Sequence, residues 1–173
     1  DVLTIEESGD ELITEAQQSF TLAVDQLVEM REREGKELAS LLDSRLVDIE
    51  TTVEKLREET PAIIAHQHEK LLKRLDDIDV EVEQGRVEQE LVILAQKLDV
   101  AEELDRLVTH VLEVRRNLKA DEPVGRRLDF LMQELNREAN TLSSKAAATS
   151  TTMQAVDLKV SIEQMREQIQ NIE

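Results

Sequence analysis

The 173-residue chain contains no cysteine, tryptophan or tyrosine, and it has only four glycines, two prolines and two phenylalanines. Without cysteine, disulfide frameworks, thiolate nucleophiles and zinc–thiolate sites are excluded within this sequence. The few glycines form no phosphate-cradling loop of the Walker or dinucleotide-binding type. No apolar run reaches the ~18 residues of a membrane span, so we expect no membrane as a partner.

Charge of one sign dominates the sequence. Acidic side chains outnumber basic ones by 39 to 21, which gives a net charge of −18. The acidic excess is concentrated in residues 1–85, whereas residues 86–145 are nearly neutral and carry basic clusters. Because an acidic surface repels polyanions, any contact with nucleic acid has to be local to those clusters. The composition, 35% charged and 1% aromatic, is typical of long packed helices.

The spacing of apolar residues predicts a long helix over residues 10–58. We expect Thr60-Pro61 to end this helix, because proline disfavours helical geometry in the residue before it. Pro61 suits the first turn of a second helix over residues 61–84. Two apolar stripes with a very short join predict an antiparallel helical hairpin, with Gly35 at a close helix crossing.

Shorter helices are expected after the hairpin, so the predicted fold class is all-α: a long antiparallel helical hairpin followed by shorter C-terminal helices. A capping-box-like pattern predicts a helix break near Asp99. The remaining predicted elements are a turn at 119–124, a helix at about 125–144, a loop or weak helix at 143–154 and a last helix from about 154 to the end. The hairpin leaves apolar stripe exposed, which favours self-association.

Carboxylates are dense between residues 86 and 106, where Glu90, Asp99, Glu102, Glu103 and Asp105 occur. Carboxylate oxygens without thiolates suit Mg²⁺ or Mn²⁺. The alternative is that these residues form a solvated acidic face. Glu102 and the arginine at position 106 are four residues apart and would then form only a surface ion pair.

Residues 125–145 mix guanidinium, amide and carboxylate groups. Arg126 and Arg127 stand near a predicted helix N-terminus, which favours an anion such as phosphate. The residues of this segment form either a phosphate-binding site or a network of ion pairs at an interface, and both interpretations remain open. The residues predicted to share one face are Arg126, Phe130, Gln133, Arg137 and Asn140, with Asp129, Glu134 and Glu138 placed among them.

His110 flanks the apolar stripe of its helix. It is either a packing histidine or a general base acting on a ribose 2′-hydroxyl. His66 and His68 are two residues apart, so they do not share a helix face and do not predict a paired metal site.

The sequence resembles the YicC-like family of bacterial proteins, which are described as stress-induced proteins and as endoribonucleases. The resemblance covers essentially the whole chain and is tightest from residue 86 onward. It is carried by the Arg-Glu-Arg-Glu-Gly run at 31–35 and by residues 86–106, 125–142 and 163–173. The sequence begins at Asp1 rather than at Met, and family members have an additional N-terminal α/β domain, so we expect a piece of a longer protein.

The resemblance implies that residues 86–173 form a YicC-like C-terminal helical domain, and we expect residues 1–85 before it to form a long acidic helical hairpin region. It implies a metal-assisted endoribonuclease that cleaves or processes RNA in stress-related RNA turnover in the cytoplasm. It also implies that copies of the protein assemble into ring-like hexamers with a central channel. The RNA-decay machinery is a further implied partner. A non-catalytic RNA-binding adaptor and a helical oligomerisation scaffold are the alternative functions.

Under this hypothesis the segments 86–106 and 125–145 face one another, because neither segment alone supplies both metal ligands and phosphate-binding groups. The expected catalytic residues are Glu90, Glu103, Glu134, Glu138 and His110. The expected ligands of Mn²⁺ or Mg²⁺ are Glu90, Glu102, Glu103 and Glu134. The expected RNA-binding residues are Arg86, Arg106, Arg126, Arg127, Arg137 and Lys145.

Overall fold

The structure, a computed structural model, describes residues 9–77, 84–120, 122–170 and 172. Across these residues the chain is helical without a strand, which confirms the all-α class and the long first helix. The chain divides into two compact units, Asp1–Leu41 and Leu42–Glu173. No described helix is both long and apolar enough to cross a membrane. The helices are α1 (Gly9–Asp76), α2 (Gln84–Leu98), α3 (Ala101–Asn117), α4 (Gly125–Lys145) and α5 (Thr149–Ile169).

The predicted hairpin turn at Thr60-Pro61 is wrong, because α1 continues through Pro61 to Asp76. Proline lacks the N–H that bonds to the carbonyl four residues earlier, and in a helix interior it costs about 3 kcal/mol. Packing on both sides offsets this cost. Leu56 is fully buried before the proline, and Ile63 and Ile64 are half-buried after it. Tertiary contacts therefore hold a helix that the local rule would end.

The antiparallel partner of α1 is α3 rather than a helix starting at Pro61. Arg115 donates to Asp43 at 2.8 Å and to both carboxylate oxygens of Glu50 at 2.6 and 2.9 Å. Further along α1, Arg57 lies 2.6 Å from Asp105. The later α1 residue thus meets the earlier α3 residue, so the two helices run in opposite directions. The hydrogen bonds with Glu50 and then Asp43 raise the pKa of Arg115 above its ordinary value.

α2 runs back along the last turns of α1. Gln67 and Arg74 of α1 line the same groove as Lys97 and Glu90 of α2. The helix that ends at Asp76 and the helix that begins at Gln84 therefore run in opposite directions, and α1 does not end at residue 60. The stretch 78–83 of the predicted second helix lies outside the described residues.

Four helices supply the core of the Leu42–Glu173 unit, each with one apolar stripe at steps of three and four residues. In α4 the leucines Leu128, Leu131, Leu135 and Leu142 are buried, as their spacing predicts. In α5 the apolar spacing correctly predicts burial of Ile162, Met165 and Ile169, and it is wrong for Val156 and Val160, which are exposed. The large side chains that are fully buried include Leu42, Leu46, Ile49, Leu56, Leu104, Leu107, Leu128, Met132, Leu135, Leu142, Leu158 and Ile162.

Two of the three connections predicted from the sequence are confirmed. The predicted break near Asp99 is confirmed, since its carboxylate accepts a hydrogen bond from the N–H of Ala101 at the start of α3. The predicted turn at 119–124 separates α3 from α4 as expected. The predicted loop at 143–154 is too long, because α5 already begins at Thr149 and buries Thr151 against the core.

The first unit contains the N-terminal part of α1, whose described side chains from Glu11 to Glu37 are all exposed. The predicted close crossing at Gly35 is wrong, because nothing in the described structure lies within 4 Å of a Cβ added there. The large apolar side chains exposed in this unit include Leu12, Ile13, Phe20, Leu22, Val24, Leu27, Val28 and Met30. Self-association through this stripe stays a prediction.

Replacing Pro61 by alanine tests the continuity of α1. We expect Pro61→Ala to raise the free energy of unfolding by about 1–3 kcal/mol, because a backbone hydrogen bond is restored within the helix. Chemical denaturation followed by circular dichroism measures the change. Glu58→Ala, at a nearby exposed position, is the matched control and should stay within about 0.5 kcal/mol. A loss of stability in Pro61→Ala contradicts the account, since a helix starting at Pro61 would favour proline there.

Candidate functional site

Arg106 of α3 joins two buried carboxylates from different helices. Its Nε lies 2.9 Å from Glu138 Oε1 on α4, and its Nη2 donates to Glu103 Oε1 at 3.2 Å. Each glutamate side chain is 6% exposed, whereas that of Arg106 is 44% exposed. The hydrogen bond with Glu138 is the main cause that raises the pKa of Arg106 above its ordinary value. Arg106 therefore supplies a permanent positive charge to both carboxylates.

Lys145 adds a second cation from the last turn of α4. Its Nζ lies 3.0 Å from Glu103 Oε1 and donates to the backbone carbonyl of Asp99 at 2.8 Å. The end of α4 is thus fixed to the connection between α2 and α3. The predicted meeting of the segments 86–106 and 125–145 is therefore confirmed for residues 99–106, whereas α2 lies along α1 instead. We call Glu103, Arg106, Glu138 and Lys145 the α3–α4 cluster.

The ion pairs set an antiparallel register between α3 and α4. From one end to the other, Glu103 meets Lys145, Arg106 meets Glu138, and Glu113 lies 3.6 Å from Arg127. His110 and Glu134, each half-buried, fall at the level between the last two pairs by helical spacing. One polar seam therefore contains most of the predicted site residues, namely Glu103, Arg106 and His110 on α3 with Arg127, Glu134, Glu138 and Lys145 on α4.

A divalent metal does not fit the α3–α4 cluster as one chain builds it. Glu103 Oε2 and Glu138 Oε2 are buried without a hydrogen-bond partner in the described part of the chain, and carboxylate oxygens are suitable ligands. However, Arg106 and Lys145 already neutralise these carboxylates, and they would repel a cation. Within residues 9–77, 84–120 and 122–170, no three His, Asp or Glu side chains come together as a metal site.

Three predicted residues stand apart from the seam or at its edge. Glu102 is 86% exposed and lies 3.3 Å from Arg106, which is the surface ion pair that its spacing allowed. Glu90 lines a groove of about 290 Å³ between α1 and α2 together with Lys70, Arg74 and Lys97. Arg86 is exposed one turn before Glu90 on α2. The basic character of this groove was missed in the sequence, because Lys70 and Arg74 meet Lys97 only through the packing of two helices.

The exposed face of α4 is positive, although the chain as a whole is acidic. The exposed residues of α4 include three arginines and no acidic residue, and the carboxylate of Asp129 beside them is 38% exposed. They comprise Arg126, Arg127, Phe130, Gln133, Arg137, Asn140 and Ser144. Arg137 is only loosely paired, with Glu134 at 4.0 Å, and Arg126 forms no ion pair with a described residue. The predicted shared face of Arg126, Phe130, Gln133, Arg137 and Asn140 is confirmed.

The fold and this site define a helical protein with a seam of buried and half-buried ionisable groups next to an arginine-bearing surface. The family model described as "Endoribonuclease YicC-like, C-terminal" matches residues 56–173 of the chain. The chain therefore belongs to the YicC-like endoribonuclease family and contains its C-terminal domain.

Two curated relatives, both named "Probable endoribonuclease YicC", are similar to this chain. The protein from Haemophilus influenzae is 48% identical over 146 residues, which are 84% of this chain and 51% of that protein. The protein from Clostridioides difficile is 34% identical over 171 residues, which are 97% of this chain and 58% of that protein. The chain thus spans about half the length of the curated relatives that it matches.

Neighbouring glutamates on α3 test the α3–α4 cluster. We expect Glu103→Gln to lower the free energy of unfolding by about 1–3 kcal/mol, because a buried, hydrogen-bonded carboxylate is lost and Lys145 keeps no counter-ion there. Glu102→Gln, on the adjacent exposed residue that also contacts Arg106, should change stability by less than about 0.5 kcal/mol. Denaturant titration of both variants measures the difference, and equal effects would contradict the cluster's role.

Proposed function

We propose that this chain is the helical portion of an endoribonuclease that binds RNA on α4 and cleaves it at the α3–α4 seam. The observation that carries the proposal is the register of the seam. It places an imidazole, several carboxylates and two arginines along one pair of helices, beside an exposed face that carries arginines. Family membership supports RNA as the substrate, since the relatives are named as probable endoribonucleases.

His110 and Glu134 are the groups to which we assign the proton transfer. An imidazole is a suitable general base for a hydroxyl group, and Glu134 lies at a neighbouring level of the same seam by helical spacing. In this proposal His110 takes the proton of a ribose 2′-hydroxyl, and the 2′-oxygen attacks the adjacent phosphorus. The bond to the 5′-oxygen breaks, and that oxygen gains a proton from solvent. Arg106 and Arg127, on either side of His110 along the seam, stabilise the charge on the phosphate.

The divalent metal expected from the family resemblance remains a separate proposal. Glu90, Glu102, Glu103 and Glu134 are the carboxylates assigned to Mn²⁺ or Mg²⁺. Because one chain does not assemble three of them, this version requires ligands from another copy of the chain or from residues beyond those described. Chelation by EDTA separates the versions, since cleavage through His110 and the 2′-hydroxyl survives chelation.

The cellular setting is proposed from the resemblance alone. We assign the protein to the cytoplasm and to stress-related RNA turnover, in contact with the RNA-decay machinery. We also propose that copies of the whole protein assemble into a hexameric ring. Such an assembly would place the positive α4 faces together while the acidic α1 segments repel RNA elsewhere.

The roles of His110 and Glu134 predict a loss of cleavage without a loss of binding. In the full-length protein, we expect His110→Ala and Glu134→Gln each to reduce the rate of RNA cleavage at least about 100-fold. RNA affinity should change little, because these groups act mainly in the transition state. His66→Ala, on the exposed surface of α1, is the matched control. If His110→Ala and Glu134→Gln cleave RNA at the rate of the parent protein, as His66→Ala should, the seam is not the catalytic site. The adaptor function then takes its place.

The proposed contact of Arg126 with an RNA phosphate predicts how salt affects RNA binding. We expect Arg126→Gln to weaken RNA binding and to reduce the slope of log affinity against log salt by about 1, as for one lost phosphate contact. Fluorescence anisotropy with labelled RNA over a series of salt concentrations measures both quantities. Arg33→Gln removes an exposed arginine from α1 and should leave the slope unchanged. Equal slopes for both variants would mean that RNA does not contact the α4 face.

A further inference from the structure

Phe130 lies on the positive face of α4, with most of its side chain exposed. It is one of only two phenylalanines in the chain, and its side chain is 57% exposed, whereas the adjacent Leu131 is buried. Phe130 is the single apolar residue among the fully exposed positions of α4. An isolated exposed ring does not stabilise the folded chain, so its position calls for a partner with a flat apolar surface.

A polar groove adjoins this ring along the same helix. It has a volume of about 500 Å³ and is lined by Gln133, Asn136, Arg137, Asn140, Thr141 and Arg166. Gln133 follows Phe130 by three residues, and Asn140 lies two turns further along the same face. Amide side chains offer a donor and an acceptor together, and this pair matches the edges of nucleobases. The arginines of the groove are suited to phosphate oxygens.

The side-chain amides are held in place rather than loose. Gln133 Nε2 donates to Asp129 Oδ2 at 2.8 Å, and Asn140 Nδ2 donates to Asn136 Oδ1 at 3.0 Å. In both cases the amide oxygen of the donating residue is left to accept from a ligand. At the other wall, Arg166 is held by Asp129 at 3.3 Å. The groove therefore presents oriented acceptors beside Arg137 and beside Arg166, whose charge Asp129 and Glu163 partly offset.

From this arrangement we infer that Phe130 is a stacking platform for an unpaired base, and that the adjoining groove receives the next nucleotide of single-stranded RNA. The inference rests on the proposed function and adds to it the strand state of the substrate. Bases inside an A-form duplex are stacked on one another and present no free face to the ring. Unpaired bases stack on aromatic side chains whatever their identity, so the site tolerates many sequences.

A second copy of this chain is the competing occupant of the face. Its acidic surface would complement the arginines, and the exposed apolar side chains of its α1 would contact Phe130. The face offers one isolated ring among amides and guanidiniums instead of an apolar patch. A nucleic-acid strand satisfies the ring, the amides and the guanidiniums at once, so the composition of the face favours RNA.

Tryptophan at position 130 reports directly on stacking, because the chain contains no tryptophan or tyrosine of its own. The 173-residue chain carrying Phe130→Trp is titrated with a short oligouridine and with an RNA duplex of equal length. We expect the oligouridine to quench the emission and the duplex to leave it unchanged. Leu112→Trp, at an exposed position of α3, is the matched control and should not be quenched.

Phe130→Leu provides the affinity measurement, since it keeps an apolar side chain and removes the ring. We expect it to bind oligouridine about tenfold more weakly than the parent chain. Its circular dichroism should be unchanged, because the position is exposed.

The possible outcomes separate the stacking inference from the proposed function. RNA binding without quenching, or with parent-like affinity of Phe130→Leu, overturns stacking and leaves RNA binding in place. Emission of Phe130→Trp that depends on protein concentration without RNA, together with a dimer in sedimentation, assigns the face to a second copy and also overturns the inference. If the chain binds neither RNA at low salt, both the inference and the proposed function are wrong.

Discussion

The guanidinium of Arg106 is the constraint on which the rest of the site depends. Two carboxylates, from α3 and α4, are buried beside it, and burial of an unpaired carboxylate is strongly unfavourable. Arg106 bonds to both, and Lys145 shares one of them while holding the start of α3 through a backbone carbonyl. These bonds allow only one register of α4 on α3. By helical spacing, that register brings His110 and Glu134 to neighbouring levels of the seam, and Phe130 lies on the exposed face of α4.

The second feature is the unequal distribution of charge. The chain has a net charge of −18, yet the fully exposed positions of α4 carry no carboxylate. Of the acidic residues of α4, Glu134 and Glu138 lie on the side of the seam, whereas Asp129 is 38% exposed and contacts Gln133 and Arg166. Such a chain repels RNA over most of its surface and attracts it at one place, where several phosphates can be neutralised. The net charge of the chain is therefore a poor indicator of whether it binds RNA, and the charge of one helix face is a better indicator.

The sequence predicted features that depend on local spacing, and it failed where contacts between distant segments decide. The bounds of α4 and its shared face followed from steps of three and four residues. The turn at Pro61 was wrong because packing around Leu56 outweighs a local preference. The placement of His110 and Glu134 at neighbouring levels was not visible, since it needs the register that Glu138 and Lys145 set from another helix. For the same reason Glu90, grouped with Glu103 by proximity in sequence, lies in a different groove.

The central claim, that RNA lies along the exposed face of α4 and over the α3–α4 seam, is tested most directly by mapping contacts in the full-length protein. RNA containing 4-thiouridine is bound, cross-linked by light and digested, and the attached peptides are located by mass spectrometry. The account predicts that cross-links concentrate in residues 125–145, with further ones near His110 on α3. Cross-links confined to the acidic part of α1 or to segments outside this chain would contradict it.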